Sequence, residues 1–509
     1  MNKSRSQNAA KNVIVGVVAQ VITLVLSVVS RKIFVTFLSA EYLGINGLYS
    51  NILSVLALAE LGLGNVTQYF LYKPVAQNNY NEITNLVRYF KKLYRIIALV
   101  ILSLGLLLIP FLNSIVNSDL TQNELIIYYV LFLINSVVSY FSADKIALLA
   151  ANQDNRLQKY VHMGCTILFQ IIYILVLMLW HNYTIYVLVT ITCTLCNVII
   201  VNLICFKRYP YIKNKTKTDT KINKNKIIND VKATFLYKIG ATIVNNTSNI
   251  VISIMISTAM VGIYSNYSMI VIAVQGFITI VCKAFVSGIG NLSVSNNKKR
   301  MHSVFNVILL IFNFIAAFGG ISFFLLFNDF IPIWLGNEYL LDKPVVFAIA
   351  FSFYLTNAIS PLWMFREANG LFKKVKYLFL FTAAFNIMFS IVLGKIFGLF
   401  GILIAPSLAR IVTQVWYEPF VVFKNLFSAS SKKYWLKQLK YFVCAALSLL
   451  CCNYLQTFLS DTLLFIILKA IIFFVITALF FALASVKTEE FSEVLHRVKG
   501  FTRKLSKDR

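Results

Sequence analysis

The sequence predicts an all-α polytopic membrane protein of about fourteen transmembrane helices: two parallel-repeat six-helix lobes followed by two C-terminal helices. Three observations predict it. First, 59% of the 509 residues are apolar and only 13% are charged, about half the charged share of a soluble domain, with a mean hydropathy of +0.76. That excludes a soluble globular, disordered or fibrous chain. Second, apolar runs of roughly 20 residues, the length needed to span a bilayer, recur along the whole chain. Third, the 47 Lys and Arg residues fall almost entirely into every second connecting segment.

The spans are expected near 13–38, 44–71, 96–116, 125–150, 163–181, 183–206, 235–257, 261–291, 303–327, 345–366, 377–395, 398–423, 439–459 and 462–485. The first follows a polar segment with Lys3, Arg5 and Lys11. It exceeds the core of a signal peptide and has no A-x-A-like cleavage site, so it reads as a retained helix. Turns are placed at His181-Asn182 and near Gly398, where two long apolar stretches must each be divided. The strict alternation of a membrane β-barrel is absent. With the amino terminus in the cytoplasm, 39 of the 47 cations lie in inner segments, two (Lys343 and Lys395) in outer loops, and six within spans. A missing or extra span would scramble that split, so it fixes the expected topology, with both termini cytoplasmic. The excess of +28 therefore reports orientation and membrane-surface charge, and no nucleic acid is expected as a partner.

A shift of 218 residues superposes S-A-E-Y-L-G-I-N-G-L-Y-S-N-I, starting at Ser39, on S-T-A-M-V-G-I-Y-S-N-Y-S-M-I, starting at Ser257. Gly44/Gly262, Tyr49/Tyr267 and Ser50/Ser268 are among the coincidences. Each copy joins the first and second helix of a set, and an even number of spans separates them, which gives a parallel repeat. The expected organisation is an N-terminal lobe at 1–206, a basic cytoplasmic linker at 207–234, a C-terminal lobe at 235–424, two added helices at 425–485 and a basic cytoplasmic tail at 486–509. Two such lobes suggest a transporter whose central cavity opens alternately to each side.

Charged groups in a bilayer are expensive and face protein or water. Helix 1 carries Gln20 and Arg31 on one polar stripe. Helix 8 carries Gln275, Thr279, Lys283 and Ser287 four apart, helix 4 carries Asn135, Ser139, Ser142 and Lys145, helix 10 carries Thr356, Ser360 and Glu367, and helix 12 carries Ser407, Arg410, Gln414 and Glu418. Arg31, Lys283, Arg410, Gln20, Lys145 and Gln275 are the expected substrate-binding set. Lys32, Lys145 and Glu418 also suit helix ends, where they would snorkel, and Lys469 suits a structural or lipid-contact role. Six cations in spans against Glu60, Asp144 and Glu418 give a cationic lumen, which favours an anionic substrate such as a phosphate group. No cofactor is expected. Coupling to a proton or sodium gradient stays open, with Glu60 and Asp144 as candidates. Cys193 and Cys196 have no second pair or histidine beside them, so no metal site and no enzyme motif is expected.

The stretch S-R-K-I-F-V-T-F-L-S-A-E-Y-L-G-I-N-G-L-Y-S-N-I-L-S-V-L-A-L-A-E-L-G-L-G, Ser30 to Gly64, resembles the opening of Wzx-type polysaccharide flippases of the multidrug/oligosaccharidyl-lipid/polysaccharide exporter superfamily. The likeness lies in the cation closing helix 1, the turn at Leu43 to Leu48 and the run from Glu60. The resemblance implies a flippase for undecaprenyl-diphosphate-linked oligosaccharide repeat units in the bacterial cytoplasmic (inner) membrane, serving capsule, O-antigen or exopolysaccharide synthesis. It implies membrane lipid, the polysaccharide polymerase and the chain-length machinery as partners. Arg31 matches the family's helix-1 cation; Lys283 and Arg410 match only as cavity-type cations of the second lobe. The arginine-rich cluster expected early in a lipid II flippase is missing. Two alternatives stay open: a cation-coupled small-molecule exporter of the same fold, and a membrane glycosyltransferase or polymerase. Against the latter stand short outer loops whose acids are Asp329, Glu338 and Asp342.

Overall fold

The computed structural model describes residues 5–60, 63–213, 224–294 and 297–496. The linker's 214–223 and the tail's 497–509 lie outside the described residues. The helices are α1 (Arg5–Phe37), α2 (Ala40–Leu56), α3 (Leu63–Ala76), α4 (Tyr80–Leu108), α5 (Leu112–Ile115), α6 (Gln122–Ser139), α7 (Ala143–Ala151), α8 (Asn155–Trp180), α9 (Tyr183–Arg208), α10 (Lys224–Met255), α11 (Thr258–Val294), α12 (Lys298–Trp334), α13 (Lys343–Ala358), α14 (Ser360–Ala368), α15 (Phe372–Arg410), α16 (Trp416–Val422), α17 (Lys432–Gln456) and α18 (Leu463–Ser485). Among the described residues no strand forms. Ten helical stretches there are long and apolar enough to cross a membrane, and Ile239–Met255 is a shorter apolar one. The chain forms two compact units, Met1–Asn266 and Tyr267–Arg509.

Helix ends follow local chemistry. Asn79 caps α4 by accepting the Glu82 amide, and Thr121 with Glu124 forms a reciprocal capping box on α6. The expected turn at His181-Asn182 is present: His181 adopts the left-handed conformation (φ 49°) and Asn182 caps α9. Gly398 (φ 57°, ψ −134°) interrupts α15. Beyond it the Thr382 and Thr413 hydroxyls meet at 2.7 Å, and Gln414 donates to Thr382 at 3.2 Å, so the two arms run back along each other. The 51-residue stretch Tyr377–Phe427 is therefore a helical hairpin, as the two spans placed there require.

Some spans are less regular than the apolar runs suggested. The span expected at 44–71 ends as α2 at Leu56, turns tightly through Ala57–Glu60 and resumes as α3. Glu60 and Gly64 weaken the helix there: a carboxylate needs a polar neighbour, and glycine is a poor helix former. The span at 125–150 is likewise interrupted by a tight turn, Tyr140–Ser142, between α6 and α7. Such breaks inside a membrane-embedded helix are tolerated where other groups satisfy the backbone.

The repeat has a structural counterpart. Tyr49 and Tyr267 are fully buried. The Tyr49 hydroxyl donates to the Leu125 carbonyl at 3.0 Å, beside the start of α6. The Tyr267 hydroxyl accepts the Leu341 amide at 2.9 Å, just before α13. Equivalent tyrosines thus fasten equivalent helices within their own units. The repeat glycines touch across the first unit. A Cβ on Gly44 would lie 1.8 Å from the Thr258 carbonyl oxygen, and one on Gly262 1.8 Å from the Ala40 carbonyl oxygen. Under the 218-residue shift Ala40 corresponds to Thr258 and Gly44 to Gly262, so this is one self-complementary helix crossing. The Thr258 amide donates to the Asn117 carbonyl at 2.8 Å, and the Asn117 side chain returns a bond to Ile256 at 2.9 Å. These bonds hold the crossing shut.

In the second unit α18 is anchored by Lys469. Its side chain is buried, and its ammonium group meets Asp329 at 2.8 Å and Asp461 at 2.6 Å. The structural role expected of Lys469 is met by an ion-paired network.

Candidate functional site

Arg31 lies near the end of α1 on its polar stripe. Its Nη1 donates to the Ser265 hydroxyl at 3.0 Å, and Ser265 donates in turn to the Gly262 carbonyl at 2.7 Å. The phenol of Tyr186 lies within electrostatic reach of Arg31 and interacts with Asn46. The site therefore draws on α1, α2, α9 and α11, next to the glycine crossing. Lys32, one position on, is exposed, as a snorkelling lysine would be. Gln20 stands on α1, and its side chain lies outside the described residues.

Lys145 and Asp144 are both buried and pair with each other at 2.9 Å. Lys145 was expected at a helix end or in a cavity. It sits in the first turn of α7, neutralised by its sequence neighbour. The Tyr140 hydroxyl interacts with the Glu60 carboxylate, and Tyr94 lies within reach of both Glu60 and Asp144. The two coupling candidates, 84 positions apart, are joined through Tyr94 on α4, with Tyr140 at the second helix break also on Glu60.

In the second unit Arg410 donates from Nη1 to the Thr356 hydroxyl at 2.5 Å. On the next residue, Asn357 and Gln275 exchange side-chain amide bonds at 3.0 and 3.3 Å. Arg410 and Gln275 are thus ordered by neighbouring positions of α13. Lys283, just over two turns beyond Gln275 on α11, is exposed and is not brought to this pair.

Two expectations are corrected here. Arg366, counted among inner-loop cations, is buried in α14 at 1% exposure. Glu418, expected near a helix end, is 3% exposed. They form an ion pair of 2.5 Å, with the Arg366 guanidinium 4.9 Å from the centre of the Phe379 ring. The helix bearing Glu418 widens to π-helical turns at Ile411–Val415 and Phe423–Phe427, on either side of it. A wide turn re-aims side chains without ending the helix, which lets Glu418 face Arg366. Sequence reasoning also missed Ser265, Tyr186, Asn46 and Asn357. Ser265 and Asn46 lie inside the two repeat copies, the one available signal; Tyr186 and Asn357 are single polar residues whose meeting with their partners depends on tertiary packing.

Among the described residues no group of three His, Cys, Asp or Glu side chains is placed to hold a metal ion.

Residues 9–286, more than half of the chain, match the family model described as polysaccharide biosynthesis protein. The chain belongs to that family. No curated protein matches it significantly in sequence. In fold, this member of the family is similar to the lipid II flippase MurJ in an inward closed conformation, with a TM-score of 0.63 at 14% identity over 92% of this chain and 98% of that one. It is also similar to an inward-facing multidrug resistance MATE family transporter of the MOP superfamily, with a TM-score of 0.59 at 15% identity over 81% and 98% of the two chains. A point mutant of the Vibrio cholerae MATE transporter VcmN has a TM-score of 0.56 at 14% identity over 84% and 100%. The chain is thus a member of the polysaccharide biosynthesis protein family with the fold that MurJ and MATE transporters share, and its ten apolar helices of membrane-spanning length among the described residues make it a multi-pass membrane protein.

Proposed function

We propose that the protein translocates undecaprenyl-diphosphate-linked oligosaccharide repeat units from the cytoplasmic to the outer leaflet by alternating access, for capsule, O-antigen or exopolysaccharide synthesis. It would do so in the bacterial inner membrane, with both termini cytoplasmic and a polymerase and chain-length machinery downstream. The observation that carries this reading is the placement of Arg31 and Arg410. Each is an arginine in an apolar helical unit, and each is oriented through one corner of its guanidinium by a hydroxyl, Ser265 or Thr356. A planar fork held in this way can present its other donors to a phosphate. Gln275 with Asn357 adds amide groups of the kind that bind sugar hydroxyls, with Lys283, Lys145 and Gln20 as further members of the proposed set.

The test is complementation in a strain that depends on this protein for its surface polysaccharide. Arg31→Ala and Arg410→Ala, made at wild-type levels in the membrane, are each expected to cut polysaccharide output at least tenfold. Normal output from both would remove the assigned site. If the wild-type chain does not rescue but raises drug resistance in a pump-deficient host, the small-molecule exporter is the correct reading.

Glu60 and Asp144 are the groups through which we propose that an ion gradient acts. Glu60 sits at a helix break and touches Tyr140 at a second break, so a change in its charge would bear on both. Glu60→Gln is expected to leave polysaccharide output insensitive to a protonophore or a sodium ionophore that depresses the wild-type protein. Unchanged sensitivity would end the coupling assignment.

A further inference from the structure

Four cations that are scattered in sequence come near one another in the first unit. Lys91 and Arg95 lie one turn apart on α4, Lys145 is in the first turn of α7, and Lys213 ends the turn Pro210–Lys213 after α9. The ammonium groups of Lys145 and Lys213 lie 5.7 and 5.5 Å from the centre of the same ring, Phe206 on α9. Lys91 lies within electrostatic reach of Lys145, Arg95 and Asp144.

The arrangement is built. The Tyr80 and Tyr211 rings meet at a tilt with centres 4.6 Å apart, and the Thr84 hydroxyl donates to the Tyr211 carbonyl at 3.2 Å, so the turn bearing Lys213 is fastened to the first turns of α4. Arg208, five residues before Lys213, is already committed: Asp154 accepts its Nε at 2.7 Å and also the Tyr209 hydroxyl at 2.7 Å. Asp144 is the acid that Lys91 and Lys145 share. Like charges held together repel and raise the energy of the fold. Orientation alone requires cations on the right side of the membrane; it does not require them brought this close together. An anion with several oxygens would relieve that repulsion, with Arg95 able to bind two oxygens at once and Lys91 and Lys213 acting as point charges.

We propose that Lys91, Arg95 and Lys213, beside Phe206 and the buried Lys145–Asp144 pair, form a phosphate-binding cradle that receives a diphosphate before it reaches Arg31. The proposal rests on the flippase reading only for whose diphosphate it is. The same oxyanion chemistry could come from the lipid-linked substrate or from the headgroup of an anionic phospholipid.

The full-length protein in nanodiscs of zwitterionic lipid is titrated with inorganic pyrophosphate. In parallel, anionic phosphatidylglycerol retained by the protein is counted by native mass spectrometry. Lys91→Gln, Arg95→Gln and Lys213→Gln are combined in one variant, since none of the three is deeply buried; Lys299→Gln, exposed on α12, is the control. Correct folding is checked by an unchanged melting temperature. The expected result is pyrophosphate binding at least tenfold weaker in the triple variant and unchanged in the control. Loss of retained phosphatidylglycerol with no pyrophosphate binding by the wild type assigns the cradle to a lipid headgroup. Pyrophosphate and lipid retention both unchanged in a folded triple variant overturn the proposal. Binding is read without transport, so failure of the Arg31 and Arg410 complementation would remove the flippase reading and leave this result standing.

Discussion

Arg366→Ala will destabilise the protein by about 3–5 kcal/mol, the usual consequence of leaving a buried charge without its partner. Glu418 would keep its carboxylate in a site that is 3% exposed, with the 2.5 Å ion pair gone. The measurement is thermal unfolding of purified protein in detergent, followed by a thiol-reactive dye that reports the buried cysteines, such as Cys444 and Cys452. Arg366→Ala/Glu418→Leu is expected to recover much of the loss, because removing both charges removes the desolvation cost as well. Arg366→Lys is not expected to recover it, since a lysine lacks the planar group that faces Phe379 at 4.9 Å. A single variant that melts with the wild type would show that water reaches Glu418.

Gly44→Ala and Gly262→Ala are expected to have the second large effect. Each adds a Cβ 1.8 Å from a backbone carbonyl oxygen of the facing helix, and backbone cannot rotate aside as a side chain can. The cost exceeds the about 1–3 kcal/mol of ordinary overpacking, and α2 and α11 must separate to relieve it. Thr258 is fully buried at this crossing, so a Thr258→Cys reporter reads the separation directly. Reaction of that cysteine with a maleimide is expected to be at least tenfold faster with either alanine, alongside lost polysaccharide output from a protein still made at normal levels. Equal labelling rates would mean that the crossing yields by small shifts elsewhere.

Much of the architecture was legible because bilayer physics writes it in long runs. Apolar stretches announced the helices, and the sequence announced turns at His181-Asn182 and near Gly398, where the structure has them. The shared Gly and Tyr positions of the repeat announced the parallel arrangement; that Gly44 meets the second copy and that Tyr49 and Tyr267 fasten equivalent helices shows only in the packing. The polar residues were harder. Arg366 stood at the end of an apolar run near Lys373, Lys374 and Lys376, where a loop cation is the natural reading; only the packing of α14 against α16 shows it buried. Asn357, Tyr186 and Asn46 each look like one polar residue in an apolar helix, and their roles exist only in pairs from different helices. Lys91, Arg95 and Lys213 had been fully accounted for by membrane orientation. A count of charges cannot reveal that some of them are gathered at one place.

Lys469 carries a consequence for how α18 is held in the bilayer. On insertion scales a lysine in the middle of a helix costs about 2.5–3.5 kcal/mol, yet α18 carries one in an otherwise apolar sequence. Asp461 stands eight residues earlier, in the turn between α17 and α18, and meets the lysine at 2.6 Å. The α17–α18 hairpin therefore contains a counterion for its own lysine. Asp329, at the far end of α12, belongs to a segment synthesised well before and meets the same lysine at 2.8 Å. The α17–α18 pair thus carries one counterion for its lysine within itself, and the second ties α18 to α12.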